Sequence, residues 1–241
     1  MRGTMQTLLR MLYPPRCLIC GGLVESDFGL CAACWRDTPF LSGLACATCG
    51  VPLPGVSDRA EHCDACLAAP PPWREGTAAL AYRDNGRTLV LMLKHGDRHD
   101  IAAAAAVWMA ARAKPLAGPG TLVVPVPLHL RRQLRRRFNQ SALLAQGVAQ
   151  ALHLDWCPDA LRRHRHTPVL DGRGREERFR TLSDAISLDP KRGGLMRDRP
   201  VLLVDDVMTS GATLSAATEA CLAAGAGDVC VCTLARVVKD T

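Results

Sequence analysis

The sequence predicts an α/β chain. Its main part is a parallel sheet flanked by helices, and a small cysteine-rich double zinc ribbon precedes it. Three observations carry this prediction. Eight of the twelve cysteines form four C-x-x-C pairs, all within the first third of the chain. From residue 77 onward, apolar strand-like runs alternate with helix-patterned segments. One of these runs, Val201-Leu202-Leu203-Val204, leads into Asp205-Asp206 and then into a loop of small hydroxyl residues. The expected domains are residues 14–68 for the ribbons and 77–238 for the α/β part, with Pro70-Pro71-Pro72 as a stiff linker.

The cysteine module repeats. Cys17-Leu18-Ile19-Cys20-Gly21 leads to Cys31 and Cys34, and Cys46-Ala47-Thr48-Cys49-Gly50 leads to Cys63 and Cys66. Each C-x-x-C places two thiolates on one turn, and two such turns make a tetrahedral four-cysteine zinc site. A disulfide scaffold belongs to exported chains, and the first 13 residues lack the continuous apolar stretch and cleavage site of a signal peptide. A redox C-x-x-C usually occurs once, near a βαβ unit. The repeat makes each half its own ribbon, although a crossed pairing, first pair with third, fits the spacing too. His62 is a conceivable substitute ligand. Cys157, Cys221, Cys230 and Cys232 have apolar neighbours and read as core. Aromatic platforms for nucleic acid are few in this module: Phe28, Trp35 and Phe40.

Beyond the linker, residues 77–82 read as a short strand and 87–94 as helical, with Leu89, Met92 and Leu93 apolar. Residues 101–113 form an alanine-rich helix too short to span a bilayer. Residues 122–127 are a buried strand ending at prolines. Residues 138–152 form a helix with Leu143, Leu144, Val148 and Leu152 on one side. A short helix is expected over 175–180, a helix over 214–223 beginning near Ala212, and a last strand over 229–234.

The formal net charge is +7. Each zinc with four thiolates contributes two negative charges, so two sites lower the net charge to about +3. The overall charge is therefore weak evidence for nucleic acid. Local arginine clusters matter more: 131–137, 162–165 and 173–180. No Walker A sequence accompanies the acidic strand, and too little chain follows Asp206 for a receiver domain.

In an open α/β sheet, ligands bind at the carboxyl ends of strands. A small-residue loop running into a helix start presents N–H groups to a phosphate. Gly211 permits close approach and φ > 0, while Thr209, Ser210 and Thr213 add hydroxyls. Asp205 and Asp206 repel phosphate but accept from sugar hydroxyls, with a metal to offset their charge. One loop thus offers a ribose end and a phosphate end.

The run 201–214 resembles the diphosphoribose-binding motif of the type I phosphoribosyltransferases. The resemblance implies that Asp205 and Asp206 hold the ribose hydroxyls. It implies that Thr209, Ser210, Gly211, Ala212 and Thr213 hold the 5′-phosphate. Further motifs extend the resemblance over nearly the whole chain: the double ribbon, Pro125-Val126-Pro127-Leu128, Arg137-Phe138-Asn139-Gln140, Thr167-Pro168, the acidic motif, Gly225-Ala226 and Leu234-Ala235-Arg236. In that order they are similar to the ComF family of competence-associated, phosphoribosyltransferase-like proteins. This resemblance implies a cytoplasmic component linked to DNA uptake in natural competence. The family pattern has glycine where Arg137 stands, glutamine at Leu170 and asparagine at Thr181.

By analogy with type I enzymes, the loop after the 122–124 strand takes pyrophosphate with Mg²⁺, which implicates Pro127 and His129 with Arg131 and Arg132. The segment carrying Arg175 and Arg178 stands where such enzymes have a mobile lid, with Gly172 and Gly174 giving flexibility. Arginine forks suit phosphate oxygens. Two functions are expected. One is a pentosyl-transferring enzyme that uses phosphoribosyl pyrophosphate and an unnamed acceptor. The other is a non-catalytic adaptor that keeps the sugar-phosphate pocket and binds single-stranded DNA or DNA-uptake proteins. Neither inserts into a membrane.

Overall fold

The computed structural model describes residues 13–27, 29–95, 98–128, 138–164 and 185–238. Phe28, His129, Arg131, Arg132, Arg137, Leu170, Arg175, Arg178, Thr181 and the short helix expected over 175–180 lie outside the described residues. Among the described residues no helix is long and apolar enough to cross a membrane.

In chain order the elements are α1 (Ala32–Arg36), α2 (Asp64–Ala68), β1 (Glu75–Ala81), α3 (Asp84–His95), α4 (His99–Ala113), β2 (Leu122–Pro125), α5 (Gln140–Leu152), β3 (Asp155–Trp156), β4 (Leu161–Arg163), β5 (Ile186–Leu188), β6 (Val201–Met208), α6 (Ala212–Ala223) and β7 (Val229–Arg236). Five strands form one sheet in the order β1-β7-β6-β2-β3, with every neighbouring pair parallel. β4 and β5 make a separate antiparallel pair, which the sequence did not reveal.

Both faces of the sheet are buried, so its strands are continuously apolar rather than alternating. Period-two geometry then sorts their side chains into two cores. Leu202, Val204, Cys230 and Cys232 pack with α3, α4 and α5 on one face. Val201, Leu203, Val229 and Val231 pack with α6 and the β4–β5 pair on the other. Cys157, Cys221, Cys230 and Cys232 are buried core residues.

The α4 helix begins at His99, where Arg98 makes a forked bond to Asp100 and also donates to the Leu18 carbonyl at 3.3 Å. That bond ties the first ribbon to α4. Asn85 on α3 donates to the Cys34 carbonyl at 3.2 Å. Residues 39–41 run along the free edge of β1, with Leu41 N–H bonded to Ala79 O and Ala81 N–H to Pro39 O. An exposed edge invites foreign strands, and here the cysteine module covers it.

The strand expected to end at Val204 continues to Met208, because β7 keeps pairing with it as far as Met208↔Arg236. On its other side the ladder stops at Pro125↔Val204. The acidic pair therefore lies within β6 but just past the point where β2 departs.

Candidate functional site

The path of the chain selects the site. β2 and β6 are neighbours, yet α5 follows β2 on one face and α6 follows β6 on the other. Chains leaving adjacent strands in opposite directions open a crevice at their carboxyl ends. Pro127, buried, lies at the β2 end, one residue beyond Val126, whose N–H bonds Val204 O at 2.9 Å. Asn139 caps α5 by accepting from Ser141 N–H, and its Nδ2 donates to Val126 O at 3.2 Å. One side chain thus fixes the helix start against the β2 end, which explains the role of asparagine in the Arg-Phe-Asn-Gln motif.

Asp205 and Asp206 meet different helices. Asp205 Oδ1 accepts from Ser141 Oγ and from the Asp206 N–H, both at 2.8 Å. Among the described residues nothing bonds its Oδ2. Desolvation, reinforced by the Asp206 charge, pushes the Asp205 carboxyl up to about 7 from 3.8. Asp206 is buried and forms an ion pair with Lys94 Nζ at 3.1 Å, at the end of α3. Lys94 and Ser141 carry no motif of their own, so the sequence reading missed both. Chain packing alone brings them to the acids.

Gly211 adopts φ 83 as the N-cap of α6 and supplies no side-chain cap. The first turn of a twelve-residue helix therefore lacks a cap from Gly211, its Ala212 N–H reaches Ser210 Oγ at 3.5 Å, and Thr209, Ser210 and Thr213 add hydroxyls at the same end. A Cβ on Gly211 would lie 2.9 Å from the Trp73 ring. Gly211→Val is expected to lose at least about 2 kcal/mol of stability in urea unfolding. The left-handed conformation alone costs a side-chain-bearing residue about 1–2 kcal/mol, and overpacking adds more. An unchanged midpoint would show that the loop relaxes freely.

The cysteines form two quartets, Cys17/Cys20/Cys31/Cys34 and Cys46/Cys49/Cys63/Cys66, with all ligand atoms of a group within 4.8 Å of one another. This rules out the crossed pairing. The Cys20–Cys31 and Cys49–Cys63 sulfurs are each 3.7 Å apart. A tetrahedron of thiolates around zinc at about 2.3 Å has an edge of about 3.8 Å, so the quartets fit that ion. Burial raises the first thiol of each quartet, but N–H groups outweigh it. Those of Cys31, Cys20 and Ile19 bring Cys17 down to about 6, and those of Cys63, Cys49 and Thr48 do the same for Cys46. Burial and the neighbouring sulfurs push Cys34 up to about 12 and raise Cys66 as well. Four such sulfurs cannot all ionise without a divalent cation among them. His62 is not a ligand: its Nδ1 pairs with Thr48 Oγ1 at 2.8 Å.

A parallel sheet with flanking helices, opening a crevice at its switch point and carrying two four-cysteine zinc sites at its N-terminal end, defines the class of protein. The double zinc ribbon domain family matches residues 8–67. The DNA utilization protein YhgH of Escherichia coli strain K12 is 34% identical over 236 residues, covering 95% of this chain and 100% of that one. Competence protein F of Haemophilus influenzae is 30% identical over 227 residues, covering 92% and 96%. The chain belongs to this family of DNA utilization and competence F proteins.

Phosphoribosyltransferases are among its structural neighbours. A hypoxanthine phosphoribosyltransferase from Staphylococcus aureus is similar over 59% of this chain and 69% of its own, at 12% identity and TM-score 0.38. The glutamine phosphoribosylpyrophosphate amidotransferase of B. subtilis is similar over 59% of this chain, at 19% identity and TM-score 0.40. The match spans only 30% of that longer enzyme.

Proposed function

We propose that the crevice binds phosphoribosyl pyrophosphate, or a ribose 5-phosphate, with Mg²⁺, and that the chain serves DNA uptake from the cytoplasm. One observation carries this reading: the helix start at Gly211, which has no side-chain cap from its N-cap residue, lies five residues beyond the acidic pair at the end of β6. The helix start suits a phosphate, and the acids suit ribose hydroxyls or a hydrated cation. Asp205 Oδ2 and the Asp206 carboxylate are the groups that would hold Mg²⁺, which neutralises charge on a departing pyrophosphate when bound. The residues of the chain orient the sugar. Ser141 and the Asp206 N–H fix one Asp205 oxygen, and Lys94 restrains Asp206. Pro127 closes the β2 side.

Calorimetry of the purified chain with phosphoribosyl pyrophosphate and Mg²⁺ tests this directly. We expect one site per chain, and binding of ribose 5-phosphate but not of ribose. Absence of heat with both phosphorylated sugars would overturn the reading. Pyrophosphate release across a panel of bases and amines separates a transferase from an adaptor that only senses the ligand. In the adaptor case, single-stranded DNA and uptake proteins engage the arginine clusters of the sequence.

A further inference from the structure

The second zinc ribbon is built into the loop that starts α6. Trp73 spans the two. Its Nε1 donates to the Thr48 carbonyl at 2.6 Å, and Thr48 lies between the ligands Cys46 and Cys49. The far edge of the same indole touches Gly211, and the residue is only 4% exposed. The knuckle cannot shift independently of the sheet. Gly76 N–H bonds Ala47 O at 2.8 Å, and a Cβ on Gly76 would lie 2.4 Å from Thr48 O.

A second strut runs parallel to the first. Arg236, at the end of β7, donates through Nη1 to the carbonyls of Met208, Thr209 and Val237 at 3.1, 2.6 and 2.9 Å. The guanidinium thus bonds the entry of the loop. The contacts of the first ribbon go instead to α3 and α4, through Asn85 and Arg98.

We propose that Trp73 is a positioning residue that links zinc at the second four-cysteine site to ligand binding at the 209–213 loop, with Arg236 bracing the entry of that loop. Zinc holds the Cys46–Cys49 knuckle, the knuckle holds the indole, and the indole and the arginine hold the loop in its phosphate-receiving shape. Linkage is reciprocal, so a ligand that orders the loop must tighten zinc binding by the factor with which zinc improves ligand affinity. The first site serves as an internal control.

The inference rests on the sugar-phosphate reading of the loop, and the experiment separates the two. Ribose 5-phosphate binding to the full chain is measured first by calorimetry with Mg²⁺. The equilibrium distribution of zinc between the chain and a zinc-selective chelator is then measured with and without ribose 5-phosphate. We expect one of the two zinc ions to be held about fivefold or more tightly with ligand present, at the low end of ordinary coupling, and the affinity of the other to be unchanged. Trp73→Phe keeps a ring against Gly211 but removes the bond to Thr48, and should abolish the protection while both zinc ions are retained. Arg236→Lys tests the second strut and should reduce it. Binding without protection of either zinc overturns the linkage and leaves the pocket reading intact. No binding at all overturns both.

Discussion

Replacing Cys49 by serine is expected to leave one zinc per chain, counted by native mass spectrometry, where the parent carries two. It should also lower the melting temperature by about 10 °C or more. Apparent zinc-binding free energies in isolated ribbons and fingers are about 10–16 kcal/mol, and that energy becomes folding energy wherever the site is absent from the unfolded chain. The full amount is not lost here, because the sheet retains its own core. Yet Cys46, Cys49 and Cys66 share one apolar cluster with Trp73, Leu214 and Val231. The loss therefore propagates from the knuckle to α6 and β7. A destabilisation above about 4 kcal/mol follows, at about 2–4 °C per kcal/mol for a chain of this size. Two zinc ions and an unchanged melting curve in the variant would contradict the four-cysteine assignment.

The other large effect is expected at the acids. Asp205→Asn and Asp206→Asn should each weaken ribose 5-phosphate binding about ten- to a hundredfold, because each removes a charge-assisted bond of about 1.5–3 kcal/mol. Asparagine suits the Asp205 position, since one oxygen accepts both existing bonds and a carbonyl can do the same. The loss then reports on ligand rather than on scaffold.

The pH dependence follows from the carboxyl that desolvation raises to about 7 from 3.8. Between those values the folded chain holds a proton that the unfolded chain has released. Stability of the ligand-free protein therefore falls as pH rises from about 4 to 7 and levels off above. Binding runs the opposite way: the ligand needs the carboxylate, so affinity should drop about tenfold per pH unit below 7. Asp205→Asn should flatten both profiles, and the residual slope of binding then belongs to the ligand's own phosphate. Parallel pH profiles in the parent and the variant would rule out Asp205 as the titrating group.

Much of this architecture was legible in the chain because it is local. C-x-x-C spacing fixes two sulfurs per turn, and the fourfold repeat fixes their number. The run from Val201 to Thr213 reads as strand, acids, glycine turn and helix without outside information. Tertiary packing supplied the rest. Lys94 ends one helix and Ser141 starts another, and neither has a local pattern that directs it to Asp205 or Asp206. Pairing of β4 with β5 joins three-residue strands, too short for alternation to register. The acids lie inside β6 rather than after it because β7, not the composition of β6, decides where the strand stops.

The placement of β1 has a consequence in time. Its partner in the sheet is β7, with Glu75 opposite Cys230, so about 150 residues must be synthesised between one strand and the next. At about 5–20 residues per second, translation takes roughly ten to thirty seconds to deliver that partner. Throughout this interval β1 has emerged and β7 has not. Residues 39–41 and the Cys46–Gly50 knuckle are already outside the ribosome, and they bond the other side and the start of β1. The segments that bond β1 from outside the sheet are therefore the first partners available to it, long before β7 arrives.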